Sequence, residues 1–206
     1  MLIPDSAAVL ATLLAFVTLI PQITKLWRTR NAEGVSATWA SLGAVSNAAW
    51  VAYLASQGLW LALPSTSFMS VFFAITVWLI AWTGRPSFRP VMLGLSWGAV
   101  LTLVGVLGGW SSLGIVLGVS FGVQAAPTVF TAFRTWAPSG ISPGTWQLTL
   151  AEGILWLVYG LGYADLAVIM FGILSSVTAV LVLGRYYSTR HRWLESSDGP
   201  PLRSPT

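Results

Sequence analysis

The sequence predicts an all-α integral membrane protein with seven transmembrane helices. They form two parallel triple-helix bundles joined by a linker helix, in a 3+1+3 order. Three observations predict this: a composition that water cannot solvate, seven apolar runs of spanning length, and an internal repeat. Of the 206 residues, 55% are hydrophobic and 8% are charged, against roughly 25% charged in soluble domains. A water-facing globule of this length cannot bury so much apolar surface, whereas a bilayer solvates it. The net charge of +4 does not point to nucleic acid. The basic residues are divided among short loops and build no basic groove with interleaved aromatics. There is no cysteine, so disulfides, thiol nucleophiles and thiolate metal sites are excluded. The opening Met1-Leu2-Ile3-Pro4-Asp5 carries no positive charge on its side chains, so the first apolar run is expected to be retained rather than cleaved as a signal.

A spanning helix needs about 20 largely apolar residues. Such runs lie at Ala7–Thr24, Ala37–Ala55, Leu63–Trp82, Val91–Leu107, Leu113–Phe133, Thr145–Leu161 and Ala164–Gly184. Helix-breaking residues separate them: Arg85-Pro86, Arg89-Pro90, Gly108-Gly109, Pro138-Ser139-Gly140 and Pro143-Gly144. The gap at Ser56–Ala62 and the hinge at Gly160–Ala164 are both short and carry no Lys or Arg. All ten basic residues follow odd-numbered spans: Lys25, Arg28, Arg30, Arg85, Arg89, Arg134, Arg185, Arg190, Arg192 and Arg203. The opposite side carries only Asp5 and Asp165, of which Asp165 falls in the outer loop and is expected to be solvated. Cytoplasmic loops hold the excess of Lys and Arg. The N-terminus is therefore expected outside and the C-terminus in the cytoplasm, in a multi-pass protein of the cell membrane. The polar stretch 187–206, rich in Pro and Ser, reads as a disordered cytoplasmic tail.

Sliding the sequence on itself by 106 residues aligns two halves without a gap. The matched pairs include Pro21/Pro127, Arg28/Arg134, Gly34/Gly140, Ser36/Ser142, Trp50/Trp156, Tyr53/Tyr159 and Ser70/Ser176. Pro, Gly, Trp, Tyr and Arg have specific geometric uses, so apolar bias alone does not explain the match. The first copy covers 7–82 and the second 113–184, with the linker span 91–107 between them. One extra span between two three-span units restores the orientation. The copies are therefore parallel and can pair about an axis along the membrane normal.

Three segments of the first copy carry a family resemblance. They are Pro21-Gln22-Ile23-Thr24-Lys25-Leu26-Trp27-Arg28, Ala32-Glu33-Gly34-Val35-Ser36 and Asn47-Ala48-Ala49-Trp50-Val51-Ala52-Tyr53. Together they resemble the PQ-loop motif of SWEET and SemiSWEET proteins, a family with this parallel-repeat arrangement. The second copy keeps Arg134, Gly140-Ile141-Ser142, Trp156 and Tyr159 but has Pro127-Thr128 for Pro-Gln. The resemblance implies a carrier of a small solute, usually a sugar, that works by alternating access between two bundles. It also implies a hinge at Pro21, Gln22 and Pro127, where proline removes a backbone donor and loosens the helix.

Asn47, Trp50 and Tyr53 recur at three-residue steps and share one helix face. The second copy offers Gly153, Trp156 and Tyr159. Two-fold pairing sets Trp50 and Trp156 on opposite walls of one cavity, where an indole stacks on a sugar face and its N–H donates a hydrogen bond. The plainer use of such aromatics is helix packing or interfacial anchoring, and that covers most of the twelve tryptophans. The resemblance implies a solute-binding asparagine sixteen residues after each tryptophan. Thr66 and Gly172 stand there instead, and Pro64 sits late enough to shift the register by about three residues. Thr66 keeps one hydrogen bond, whereas Gly172 only makes room.

Glu152 is the carboxylate expected deep within a span, four residues before Trp156 and on the same face. A charged carboxylate at mid-bilayer costs about 3 kcal/mol. Protonation or a water-filled cavity relieves that cost, so Glu152 is a candidate proton-coupling or solute-binding group. The plainer role is a neutral acid that hydrogen-bonds a neighbouring helix, with Gln124 as a candidate partner. Glu33 is expected to be solvated, and the lone His191 lies in the tail. No cluster completes a metal site, no cofactor is implied, and no nucleophile–base constellation suggests an enzyme. The partners expected are a small polar solute and the lipid bilayer. An amino-acid or other metabolite carrier, with or without proton coupling, is the second expectation. A non-transporting receptor or assembly factor on the same scaffold is the rival class. The oligomeric state is not legible.

Overall fold

A computed structural model describes residues 2–29, 36–82, 88–134 and 141–197, without the side chains of 18–23, 25–26, 29 and 190–197. Arg30, Glu33, Gly34, Arg85 and Gly140 lie outside the described residues, as do the side chains of Pro21, Gln22 and His191. The described chain is helical. Its helices are α1 (Leu2–Thr29), α2 (Ala37–Ser56), α3 (Leu63–Trp82), α4 (Phe88–Arg134), α5 (Pro143–Tyr163) and α6 (Leu166–Ser197). A single 3-10 turn, Trp60–Ala62, precedes α3.

Helix α4 has 47 residues, about 70 Å at 1.5 Å per residue, more than twice the hydrocarbon thickness. It is two helical arms. At Gly109 the backbone turns to φ 74° and ψ −178°, a conformation open to glycine and costly for other residues. The break expected at Gly108-Gly109 is thus where the helix breaks, leaving arms 88–108 and 110–134. Among the described residues, Trp60–Trp82, Phe88–Arg134 and Leu166–Thr189 are long and apolar enough to cross a membrane, and Leu2–Val17 is a shorter apolar stretch. Large apolar side chains such as Leu103, Val106, Leu107 and Val123 stand exposed around the outside, as lipid contact requires and water discourages.

The helix ends follow from local chemistry. Ser36 caps α2 by accepting from Trp39 N at 3.2 Å. Its repeat partner Ser142 caps α5 by accepting from Thr145 N at 3.5 Å. The same cap at equivalent positions satisfies orphan N–H groups in both copies. Between α5 and α6 the chain turns at Ala164, φ 53°, and the Ala164 and Asp165 N–H groups bond back to Leu161 O and Gly160 O. Asp165 then caps α6, with Oδ1 accepting from Val168 N at 2.9 Å. The expectation of a solvated loop carboxylate is corrected here: a new helix needs a capping acceptor, and Asp165 supplies it. The stretch expected to be disordered is helical as far as Ser197. Helix α6 continues through 187–197, with the Ser188 and Thr189 hydroxyls bonding back to Arg185 O along it. No Gly or Pro interrupts the chain between Arg185 and Asp198. Residues 198–206 lie outside the described ones.

Packing repeats between the halves. Helix α3 lies between α1 and α2, and α6 lies between α4 and α5. Across the middle, α1 packs on α5 and α2 on α4. The first arm of α4 rests on α2, where Gly94 sits against Ser41 and Trp97 Nε1 donates to Ser46 Oγ at 2.9 Å. The second arm seats Gly114 on the Tyr53 ring and Gly118 against Ala167 O. Small residues let helices approach where lipid offers no hydrophobic drive toward association. Trp27, Trp78 and Trp82 stack at the far end of α1 and α3, with centroids 5.5–6.2 Å apart.

Candidate functional site

A cavity of about 70 Å³ opens where α2, α3, α5 and α6 meet, lined by Asn47, Trp50, Leu54, Ala62, Ser65, Thr66, Met69, Glu152, Trp156, Val168 and Phe171. Three of its wall pairs are repeat equivalents: Trp50/Trp156, Ala62/Val168 and Ser65/Phe171. The cavity therefore sits at the boundary of the two halves, with a tryptophan from each. The local surroundings of those tryptophans match too. Trp50 meets Tyr53 edge-on at 5.7 Å, and Trp156 meets Tyr159 edge-on at 5.9 Å.

The other walls differ between halves, and packing explains why. Asn47, Leu54 and Thr66 line the cavity, and their equivalents are Gly153, Gly160 and Gly172. A Cβ on Gly153 would lie 2.9 Å from Ser176 N, and one on Gly160 would lie 2.8 Å from Ile169 N. On Gly172 it would lie 2.6 Å from Leu157 N. Second-half glycines thus bring α5 and α6 backbones together where first-half side chains reach the cavity. Gly172 is a packing contact rather than a cavity wall, and the sequence expectation is corrected on that point.

Glu152 is partly buried in the cavity, and its Oε1 accepts from Trp156 Nε1 at 3.3 Å. Gln124 is not its partner. That side chain lines a separate apolar hollow of about 420 Å³ with Leu42, Trp97 and Ser120. Asn47 Nδ2 donates to Gly43 O at 2.8 Å, and Thr66 Oγ1 donates to Ala62 O and Leu63 O at 3.2 Å each. Ser65 and Met69 were missed from sequence. The 3-10 turn sets the register of α3, so Ala62, Ser65, Thr66 and Met69 form one i, i+3, i+4, i+7 face toward the cavity.

Tyr53 and Tyr159 do not line the cavity. They lie one turn beyond the tryptophans, and both are buried. Tyr53 O–H donates to Asp165 Oδ2 at 2.8 Å, tying α2 to the start of α6. Tyr163 O–H donates to Asp5 Oδ1 at 2.6 Å, tying α5 to the start of α1. Both hydrogen bonds join one half of the chain to the other at the same end of the molecule. Pro127 lies inside α4, whose interruption is at Gly109 instead, and Pro21 and Gln22 fall within α1.

These helices and their apolar outer surface define a helical membrane protein with a cavity between its two halves. Residues 5–63 match the family model of the PQ loop repeat, a stretch covering most of α1, all of α2 and the turn before α3. No curated protein matches the chain.

Proposed function

We propose that the chain is a membrane transporter that moves a small polar solute by alternating access, through the cavity between its two repeats. The observation that carries this reading is the cavity wall itself, with Trp50 and Trp156 contributed from equivalent positions of both halves. The paired ties at one end, Tyr53–Asp165 and Tyr163–Asp5, support it as a closure that parts when the halves rock. The PQ-loop match to 5–63 points to a transporter or receptor rather than an enzyme. Following the SWEET resemblance, sugar is the leading solute, with amino acids and other polar metabolites behind it. Pro21, Gln22 and Pro127 serve as hinges, and Glu152 is the group for proton coupling or solute binding. At about 70 Å³ the cavity is small beside ligand pockets of about 300–1,000 Å³, which fits a closed state of a carrier.

Liposomes containing only this protein are expected to take up or release labelled sugars or amino acids faster than empty liposomes. No transport across a broad panel would replace the carrier with a receptor or assembly factor on the same scaffold.

The orientation proposed is seven spans in the cell membrane, N-terminus outside. It draws on the ten-to-zero split of Lys and Arg. A reporter fused after Thr206 should read cytoplasmic, and one inserted between Gly108 and Leu113 should read external. Two reporters on the same side would break both the span count and the parallel repeat.

A further inference from the structure

We infer that the cavity selects solutes carrying a protonated amine, with the ammonium seated on Glu152 between the indoles of Trp50 and Trp156. The inference rests on the transport reading and names its substrate class. Its basis is the set of acceptors in the wall, above all the Glu152 carboxylate, and the indoles beside it. Three of the wall's polar donors are already committed to the protein. Asn47 Nδ2 donates to Gly43 O, Thr66 Oγ1 to its own helix, and Trp156 Nε1 to Glu152. The acceptors these groups offer are the Asn47 carbonyl, the Thr66 lone pairs and the Glu152 carboxylate. Two carboxylate oxygens offer about four acceptor positions, and Trp156 occupies one.

An ammonium brings three donors and no acceptor, so it complements such a wall. Charge points the same way. Among the described residues, Glu152 is the only ionisable one lining the cavity, and no Lys or Arg shares it. An ion at this depth is costly unless it is paired, and an ammonium and a carboxylate relieve each other. The two indoles add to this, because a cation near an indole face is drawn to its negative quadrupole. The repeat also shows why only the second half supplies the charge. The equivalent of Glu152 is Ser46, whose hydroxyl is occupied by Trp97 Nε1 from the linker arm.

Matched pairs differing in the amine test this on the purified full-length protein, because a ligand that prefers the folded state raises apparent stability. The probes are D-glucosamine against D-glucose, and ethanolamine against ethylene glycol. In thermal-shift titrations the amine member of each pair is expected to bind at least tenfold more tightly than its neutral partner. Glu152→Gln should remove that preference, whereas Glu152→Asp should retain it. Equal binding within both pairs overturns the inference, and so does a preference that survives in Glu152→Gln. Those results leave the carrier reading standing wherever liposome uptake of neutral solutes persists. Absence of both binding and uptake for every probe removes both readings. If Glu152→Gln does not fold, the wild-type and Glu152→Asp comparisons decide the matter.

Discussion

Gly172→Ala is expected to lower the stability of the folded protein by about 2–3 kcal/mol, and Gly172→Leu to prevent assembly of α5 on α6. The added methyl would sit 2.6 Å from Leu157 N and 2.8 Å from Leu157 Cα. Both atoms belong to helix backbone, which cannot rotate aside as a flexible side chain does, so the helices must separate. Separation also strains the contacts at Gly153 and Gly160 on the same interface, where added Cβ atoms meet Ser176 N and Ile169 N within 3 Å. Gly184→Ala in the same helix is the control, since nothing lies within 4 Å of its added methyl, and alanine favours helix over glycine. Thermal unfolding in detergent measures both. A Gly172→Ala protein that melts with wild type would show that the interface yields more easily than its backbone contacts imply.

Gly172 also marks where sequence reasoning and structure part. Repeat alignment pairs Thr66 with Gly172, but paired positions do not have equivalent surroundings. Thr66 faces the cavity, while Gly172 faces a helix. The difference lies in how closely the third helix of each half packs on its second, and no local pattern records that distance. The tryptophans and Glu152 were legible because their signal is local: a three- or four-residue step along one helix, repeated 106 residues on or standing out as a charge in an apolar run. Asn47 was legible for the same reason. The Tyr53–Asp165 bond was not, because it joins residues 112 positions apart, and Asp165 reads as an ordinary loop carboxylate until its helix is seen to start there. Ser65 escaped notice because the 3-10 turn before α3 sets which face points inward. The continuation of α6 to Ser197 went unread because a polar composition suits both disorder and a solvated helix.

Trp50→Ala and Trp156→Ala are each expected to reduce liposome uptake about a hundredfold, equivalent to about 2.8 kcal/mol at 1.4 kcal/mol per factor of ten. Both indoles line the cavity and both are largely buried, at 9% and 6% exposure. Removing either takes away a stacking face and leaves a void. The void alone destabilises, since truncating a buried aromatic to alanine costs about 3–5 kcal/mol, so an alanine variant can lose activity by losing its fold. Phenylalanine separates the two effects, because it keeps a ring in the core and removes the indole N–H. At position 50 the ring remains in place to meet Tyr53 and Phe171, so Trp50→Phe should keep its fold and retain part of its uptake. At position 156 the lost N–H also releases Glu152 Oε1 from its donor. Trp156→Phe should therefore change the pH dependence of uptake as well as its rate, whereas Trp50→Phe should change the rate alone. Uptake measured across a pH series, beside the amount of folded protein in the membrane, reads both effects. Near-normal uptake by folded alanine variants at both positions would return these tryptophans to helix packing. Identical pH profiles for the two phenylalanine variants would mean that the Trp156–Glu152 bond does not govern the carboxylate.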